Sequence, residues 1–179
     1  MERLPSFELR RAGTLAQAIE WLAAPGARAI AGGTDLVPNL RDGLGAPPLL
    51  VDVSALPGFD ALEVGAAGAR IGAGVTIARL AGDAGVAAAL PAVGEAAASI
   101  AGPGHRSVAT VGGNLCVDTR CVYYNQSEWW RRSNGYCLKH RGETCHVAPT
   151  GDRCHAAYQG DLAPALIACG ASVEVAGAR

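Results

Sequence analysis

Aromatic residues make up only 5% of this 179-residue chain, and methionine occurs once. Half of the residues are apolar, so any core must be built mainly from small aliphatic side chains. An excess of one charge is also missing: 15 Lys and Arg face 16 Asp and Glu, for a formal net charge of −1. A balance this even does not suit nucleic-acid or membrane-surface binding driven by bulk charge. No apolar run approaches the roughly 20 residues of a membrane span. The opening MERLPSFELRRAG lacks the apolar stretch of a secretory signal. The expectation is a soluble, cytoplasmic protein with no nucleic-acid or membrane partner, whose six cysteines are not paired as disulfides.

Glycine is what the chain has in excess. Its 24 glycines are roughly twice the usual share of about 7%, which points to tight turns and backbone-mediated contacts. Strand and helix signals alternate. A strand over Phe7–Arg11 leads to a helix in which Leu15, Ala18, Ile19 and Leu22 share one face behind a Thr14 cap, and Pro25-Gly26 ends it. Strands are expected at 28–30, 49–53, 62–64, 69–73 and 172–176. Helices are expected from Asp35 towards Leu40, after Thr76, on either side of Pro91 within 84–101, and over Asp161–Cys169 with Gly170 beyond. Residues 102–108 read as a loop. The mixture predicts an α+β (mixed α/β) fold.

Two Gly-Gly stretches follow short β segments: Ala29-Ile30-Ala31-Gly32-Gly33-Thr34-Asp35-Leu36 and Ala109-Thr110-Val111-Gly112-Gly113-Asn114. Without a Cβ, such loops bring backbone N–H groups close to an anion, and a following helix start adds partial positive charge. Thr34 can donate its hydroxyl, and Asp35 is assigned to capping its own helix. Either loop alone also reads as a tight strand-to-helix turn. The two together suit the two phosphates of a dinucleotide, although neither matches a Rossmann fingerprint or a Walker A sequence.

The segment Cys121–Cys154 differs sharply from its flanks and reads as an insertion. It holds the only lysine, Lys139, together with Trp129, Trp130, two histidines and four cysteines, and a third histidine, His155, follows directly. The gaps between Cys121, Cys137, Cys145 and Cys154 contain 15, 7 and 8 residues, unlike the usual zinc-finger or compact ferredoxin spacings. An iron–sulfur cluster, a zinc knot and buried free thiols all remain open on spacing alone. For a cluster, Arg131, Arg132, Lys139 and Arg141 can offset thiolate charge, and Trp129, Trp130 and the tyrosines can exclude solvent. His140, His146 and His155 serve as ligands or as hydrogen-bonding neighbours. Cys116 and Cys169, outside the segment, are expected in the core.

AGGTDL, IGAGVTIARL, ATVGGNL and GDLAPALIACGASVEV resemble, in that order, the FAD-binding subunit of the molybdenum hydroxylases, the xanthine and carbon monoxide dehydrogenase relatives. The segment CVYYNQSEWWR…CLKHRGETCHV…CHA is similar to that of one branch, the β subunit of 4-hydroxybenzoyl-CoA reductase. The resemblance implies a two-subdomain FAD-binding fold of the molybdopterin dehydrogenase, or vanillyl-alcohol-oxidase-like, type. The division is residues 1–57 and 58–179, the second carrying the 121–154 insertion, with the family's C-terminal domain lying beyond this sequence. It further implies Cys121, Cys137, Cys145 and Cys154 as ligands of a [4Fe-4S] cluster. FAD is implied at Ala29–Leu36, Ala109–Asn114, Asp118 and Asp161. The expected activity is electron transfer from ferredoxin towards a molybdopterin-containing large subunit and a [2Fe-2S] small subunit, without catalytic residues of its own.

Overall fold

The computed structural model describes residues 3–177. Strand β1 (Glu8–Arg11), helix α1 (Leu15–Leu22), strand β2 (Arg28–Ile30), helix α2 (Leu36–Arg41) and strand β3 (Leu49–Asp52) come first. The three strands form a parallel sheet in the order β1-β3-β2, with Glu8 opposite Leu49 and Arg28 opposite Leu50. The central strand β3 is buried along its whole length, as a continuous apolar run in a parallel sheet should be. Thr14 caps α1 as expected, its Oγ1 accepting from the Gln17 N–H at 3.2 Å. Ala18 on α1 packs with Ala12, Leu49, Val51 and Leu56 in a first small core.

A second core follows. Strands β4 (Leu62–Gly65) and β5 (Gly68–Ile71) form an antiparallel hairpin. Helices α3 (Ile77–Gly82), α4 (Ala84–Ala89) and α5 (Pro91–Ser99) pack beside it, with α4 and α5 separated at Pro91 as its missing N–H requires. Thr76 caps α3, accepting from Arg79 N–H at 3.2 Å. Helix α9 (Leu162–Ala168) closes this core. Val75, Ile77, Leu80, Val86, Val93 and Leu162 are each 0% exposed. Burying side chains of this size contributes about 1.5–3 kcal/mol each before the entropy of ordering them. The core is aliphatic throughout, as the scarcity of aromatics requires.

Three expectations fail here. Residues 102–108 contain a short helix, α6 (Pro103–Arg106), with Pro103 in its first turn, where a missing N–H costs nothing. The second glycine stretch is not a loop but a helical turn, α7 (Val111–Leu115), capped by Thr110. Residues 172–176 form no strand: Val173 and Val175 are 68% and 86% exposed, and no described strand lies alongside to complete a ladder. The cysteine segment carries one helix, α8 (Glu128–Ser133), capped by Ser127.

Candidate flavin groove and cysteine cavity

Edge strand β2 delivers the chain into the first glycine loop. Gly33 has φ +68°, a conformation that suits glycine, and a Cβ on Gly32 would stand 1.9 Å from the Val108 carbonyl oxygen. Gly32 thus lets the first loop touch the stretch just before the second. Among the described residues, the amides of Gly32, Gly33, Thr34 and Asp35 donate to no protein acceptor. Four successive N–H groups are therefore available to a ligand or to water. Ala29 and Ile30 are strand residues and Leu36 opens α2.

Asp35 corrects the sequence reading. Its side chain makes no cap bond to α2. Oδ2 accepts from Asn39 Nδ2 at 2.9 Å, and Oδ1 accepts from Arg120 at 2.5 Å, so the carboxylate is neutralised from a position 85 residues away.

The second stretch is different. Val111 N–H donates to Val75, Gly112 to Ala73, Gly113 to the Thr110 hydroxyl and Asn114 to the Thr110 carbonyl. Its amides are committed within the fold, and the Val111 side chain lies in the core. What this stretch offers a ligand is Thr110, which bridges to Thr76 in a short antiparallel contact. Both threonines accept a cap bond at Oγ1 and retain a hydroxyl proton to donate.

The two stretches meet at an open groove of about 350 Å³. It is lined by Ala31, Gly32, Ser54, Gly74, Thr76, Val108 and Thr110, with no charged side chain among them. Its size is in the range of small-molecule sites. Neutral donors on glycine-shaped walls suit a diphosphate, so these residues fit the phosphate portion of a flavin dinucleotide. Ser54, Gly74, Thr76 and Val108 were missed as site residues in the sequence. Thr76 read only as a helix cap, although the IGAGVTIARL stretch carried the signal.

Asn114 and Asp161 meet beside this region. Asn114 Oδ1 accepts from Leu162 N–H at 3.0 Å and its Nδ2 donates to Asp161 at 3.2 Å, so Asn114, not Asp161, satisfies the start of α9. Asp118 does not line the groove. It accepts from Lys139 Nζ at 2.8 Å. Burial works to raise the Asp118 carboxyl pKa, but the Lys139 hydrogen bond and charge outweigh it and hold the group below its ordinary value.

The cysteine segment closes on itself. Arg120 and Ala157 pair at its neck through two backbone hydrogen bonds of 2.8 and 3.0 Å. Cys121, Cys137, Cys145 and Cys154 all line one small cavity, together with Tyr123, Leu138, Lys139, His146, Val147 and Ala156. The space is tight, about 10 Å³, so a group larger than one water requires the walls to part. Among the described residues, no three His, Cys, Asp or Glu side chains converge closely enough to hold a metal ion. One backbone N–H points at sulfur, that of Ala156, which donates to Cys154 Sγ at 3.4 Å. The Ala148 N–H donates to the Cys145 carbonyl at 3.1 Å, and the nearby amides of Ala148 and His155 hold the Cys145 thiol pKa below its ordinary value. All six cysteines are unpaired, and Cys137 and Cys145 are buried.

The surroundings differ from those expected. Arg131, 1% exposed, donates to the Asp42 and Gln126 carbonyls and to Glu128, while Arg141 stands 3.5 Å from Glu128, so neither charge is free for thiolates. Only Lys139 of the four basic residues reaches the cavity wall. Trp129 is 72% exposed and shields nothing, whereas Tyr123 lies 5.3 Å from the His146 ring. His146 bonds to the Tyr136 carbonyl. Burial, then Arg131 and Arg141, holds the His140 imidazole pKa below its ordinary value. Cys116 and Cys169 are exposed at helix ends rather than in the core.

Comparison with known proteins finds FAD-binding subunits among the similar chains. The xanthine dehydrogenase FAD-binding subunit of Escherichia coli O157:H7 is 42% identical over 108 residues, 59% of this chain and 37% of that protein. The carbon monoxide dehydrogenase medium chain of Afipia carboxidovorans is 34% identical over 111 residues, 61% of this chain and 38% of that one. The solved structure of quinoline 2-oxidoreductase from Pseudomonas putida 86 superposes with a TM-score of 0.60 at 34% identity, covering 63% of this chain and 40% of that one. The chain thus spans under two fifths of the length of these curated relatives. The family described as the FAD binding domain in molybdopterin dehydrogenase matches residues 5–179. This chain belongs to that family and has its mixed α/β FAD-binding fold.

Proposed function

We propose that the chain is the flavin and iron–sulfur electron-transfer subunit of a molybdenum enzyme that reductively dehydroxylates 4-hydroxybenzoyl-CoA. That reaction consumes two electrons and two protons and yields benzoyl-CoA and water. Its substrate site lies on a molybdopterin-containing large subunit, with a [2Fe-2S] small subunit completing a cytoplasmic assembly and ferredoxin as donor. When bound, FAD and a [4Fe-4S] cluster supply the one- and two-electron steps.

Residues 1–57 and 58–179, each with its own core, form the two subdomains facing the groove. Gly32 to Asp35 offer amides to one end of the diphosphate, and Thr76 and Thr110 offer hydroxyls to the other. Cys121, Cys137, Cys145 and Cys154 hold the cluster. The observation that carries the cluster reading is that four cysteines, spread over 34 positions, line a single cavity, with the Ala156 N–H donating to Cys154 Sγ. Such a donor favours the thiolate form that iron requires. Lys139, on the cavity wall, adds positive charge.

The test is iron and acid-labile sulfide content of anaerobically prepared protein. About four of each per chain are expected, falling sharply in Cys137→Ser. Zinc, or no metal in a folded chain, overturns the cluster and leaves a flavin domain.

A further inference from the structure

Arg120 stands between the two sites and belongs to neither. Its backbone closes the neck of the cysteine segment against Ala157. Its side chain, 17% exposed, turns the other way. One nitrogen donates to Asn39 Oδ1 at 2.6 Å and to Asn125 Oδ1 at 3.0 Å, while the other donates to Asp35 Oδ1 at 2.5 Å. Asp35 is the last of the four residues whose amides are unpartnered in the first glycine loop. A bare carboxylate there opposes an anionic ligand at the same amides.

We propose that Arg120 is a positioning residue for the flavin diphosphate. By neutralising Asp35 and tying it to Asn39, it keeps the Gly32–Asp35 amides electrostatically open to phosphate, and it anchors that loop to the neck of the cysteine segment. The inference rests on the groove being the flavin site. It explains why an acidic residue is tolerated beside a phosphate cradle: its charge is answered by a guanidinium from a distant part of the chain, whose planar fork holds Asp35, Asn39 and Asn125 at once. Arg131 makes a parallel tie, donating to the Asp42 carbonyl just past the end of α2, so the segment grips α2 at both ends.

The experiment is a flavin-fluorescence titration of the full chain with FAD and, separately, with riboflavin, which has no phosphate. Arg120→Gln is expected to weaken FAD about tenfold, a discounted figure because Asp35 is partly exposed, and to leave riboflavin unchanged. Adding Asp35→Asn to Arg120→Gln is expected to restore most of the lost FAD affinity, which a merely structural arginine would not allow. Arg120→Lys, keeping the charge but losing the fork, should fall between, and it replaces Arg120→Gln should the latter not fold. FAD affinity unchanged in both Arg120 variants overturns the proposal alone. A double variant no better than Arg120→Gln also overturns it. A parent chain that binds riboflavin but shows no preference for FAD, or binds neither, overturns the groove assignment and this proposal with it.

Discussion

The two glycine stretches look alike in sequence and do opposite things in the fold. AGGTDL leaves four successive amides without a protein acceptor, while ATVGGN commits its four to Val75, Ala73 and Thr110. The reason is position. The first leaves edge strand β2 and turns through Gly33 at φ +68° before α2 begins, so its N–H groups lie outside both ladder and helix. The second opens α7, and the first amides, which a helix leaves without partners of its own, are taken up by the Val75 and Ala73 carbonyls and by the Thr110 cap. A glycine pair therefore marks where the backbone can come close, not where its donors are free. In the first stretch the glycines make a cradle. In the second they permit tight packing against Ala73 and leave recognition to the hydroxyl of Thr110.

The largest expected effect breaks the first loop. Gly32→Ala puts a methyl 1.9 Å from the Val108 carbonyl oxygen, so backbone must move. A loss of about 3 kcal/mol, with loss of FAD binding, should appear in denaturant melts and flavin titration. A variant with parent stability and affinity contradicts the close approach between the stretches.

A milder change sharpens the contrast. Thr110→Ala removes the α7 cap and one groove hydroxyl, and should cost about 1 kcal/mol with a modest loss of FAD affinity. Stability should fall more than in Thr34→Ala, whose hydroxyl makes no bond among the described residues. Parallel thermal melts of the two variants decide this.

The smallest effect concerns pH at Asp52, the last residue of β3, which accepts from Ser54. Burial works to raise the Asp52 pKa, but hydrogen bonds from Ser54 and Arg11 outweigh it, so the folded value lies below the ordinary 3.8. A depressed carboxylate contributes stability that is whole above its unfolded value and is lost as pH falls through the folded one. Melting temperature should therefore drop more steeply below about pH 4 in the parent than in Asp52→Asn. Equal slopes would remove Asp52 from the account.

Much of the fold was legible in order of appearance. Thr14 and Thr76 as caps, the break at Pro91 and the buried run Leu49–Asp52 follow from local chemistry that tertiary contacts do not reverse. The expected strand at 172–176 was not legible, because a strand needs a neighbour and β-propensity alone supplies none. Asp35 was misassigned for a similar reason. It stands in sequence where a cap belongs, yet an arginine 85 residues away claims its carboxylate. Cys116 and Cys169 read as small core hydrophobes, but both fall at helix ends facing solvent.

By itself, then, the sequence determined the aliphatic cores, the helix starts behind Thr14 and Thr76, the family and the grouping of four cysteines in one unusual segment. These rest on composition, local backbone chemistry and motif order, which travel with the chain. Only the tertiary structure decided which amides are free, which carboxylate meets which guanidinium, and that Ser54, Thr76 and Thr110 share one groove with Gly32. A hydrogen-bond donor is available or consumed according to what lies within about 3 Å of it, and that neighbour is set by packing across the chain rather than along it.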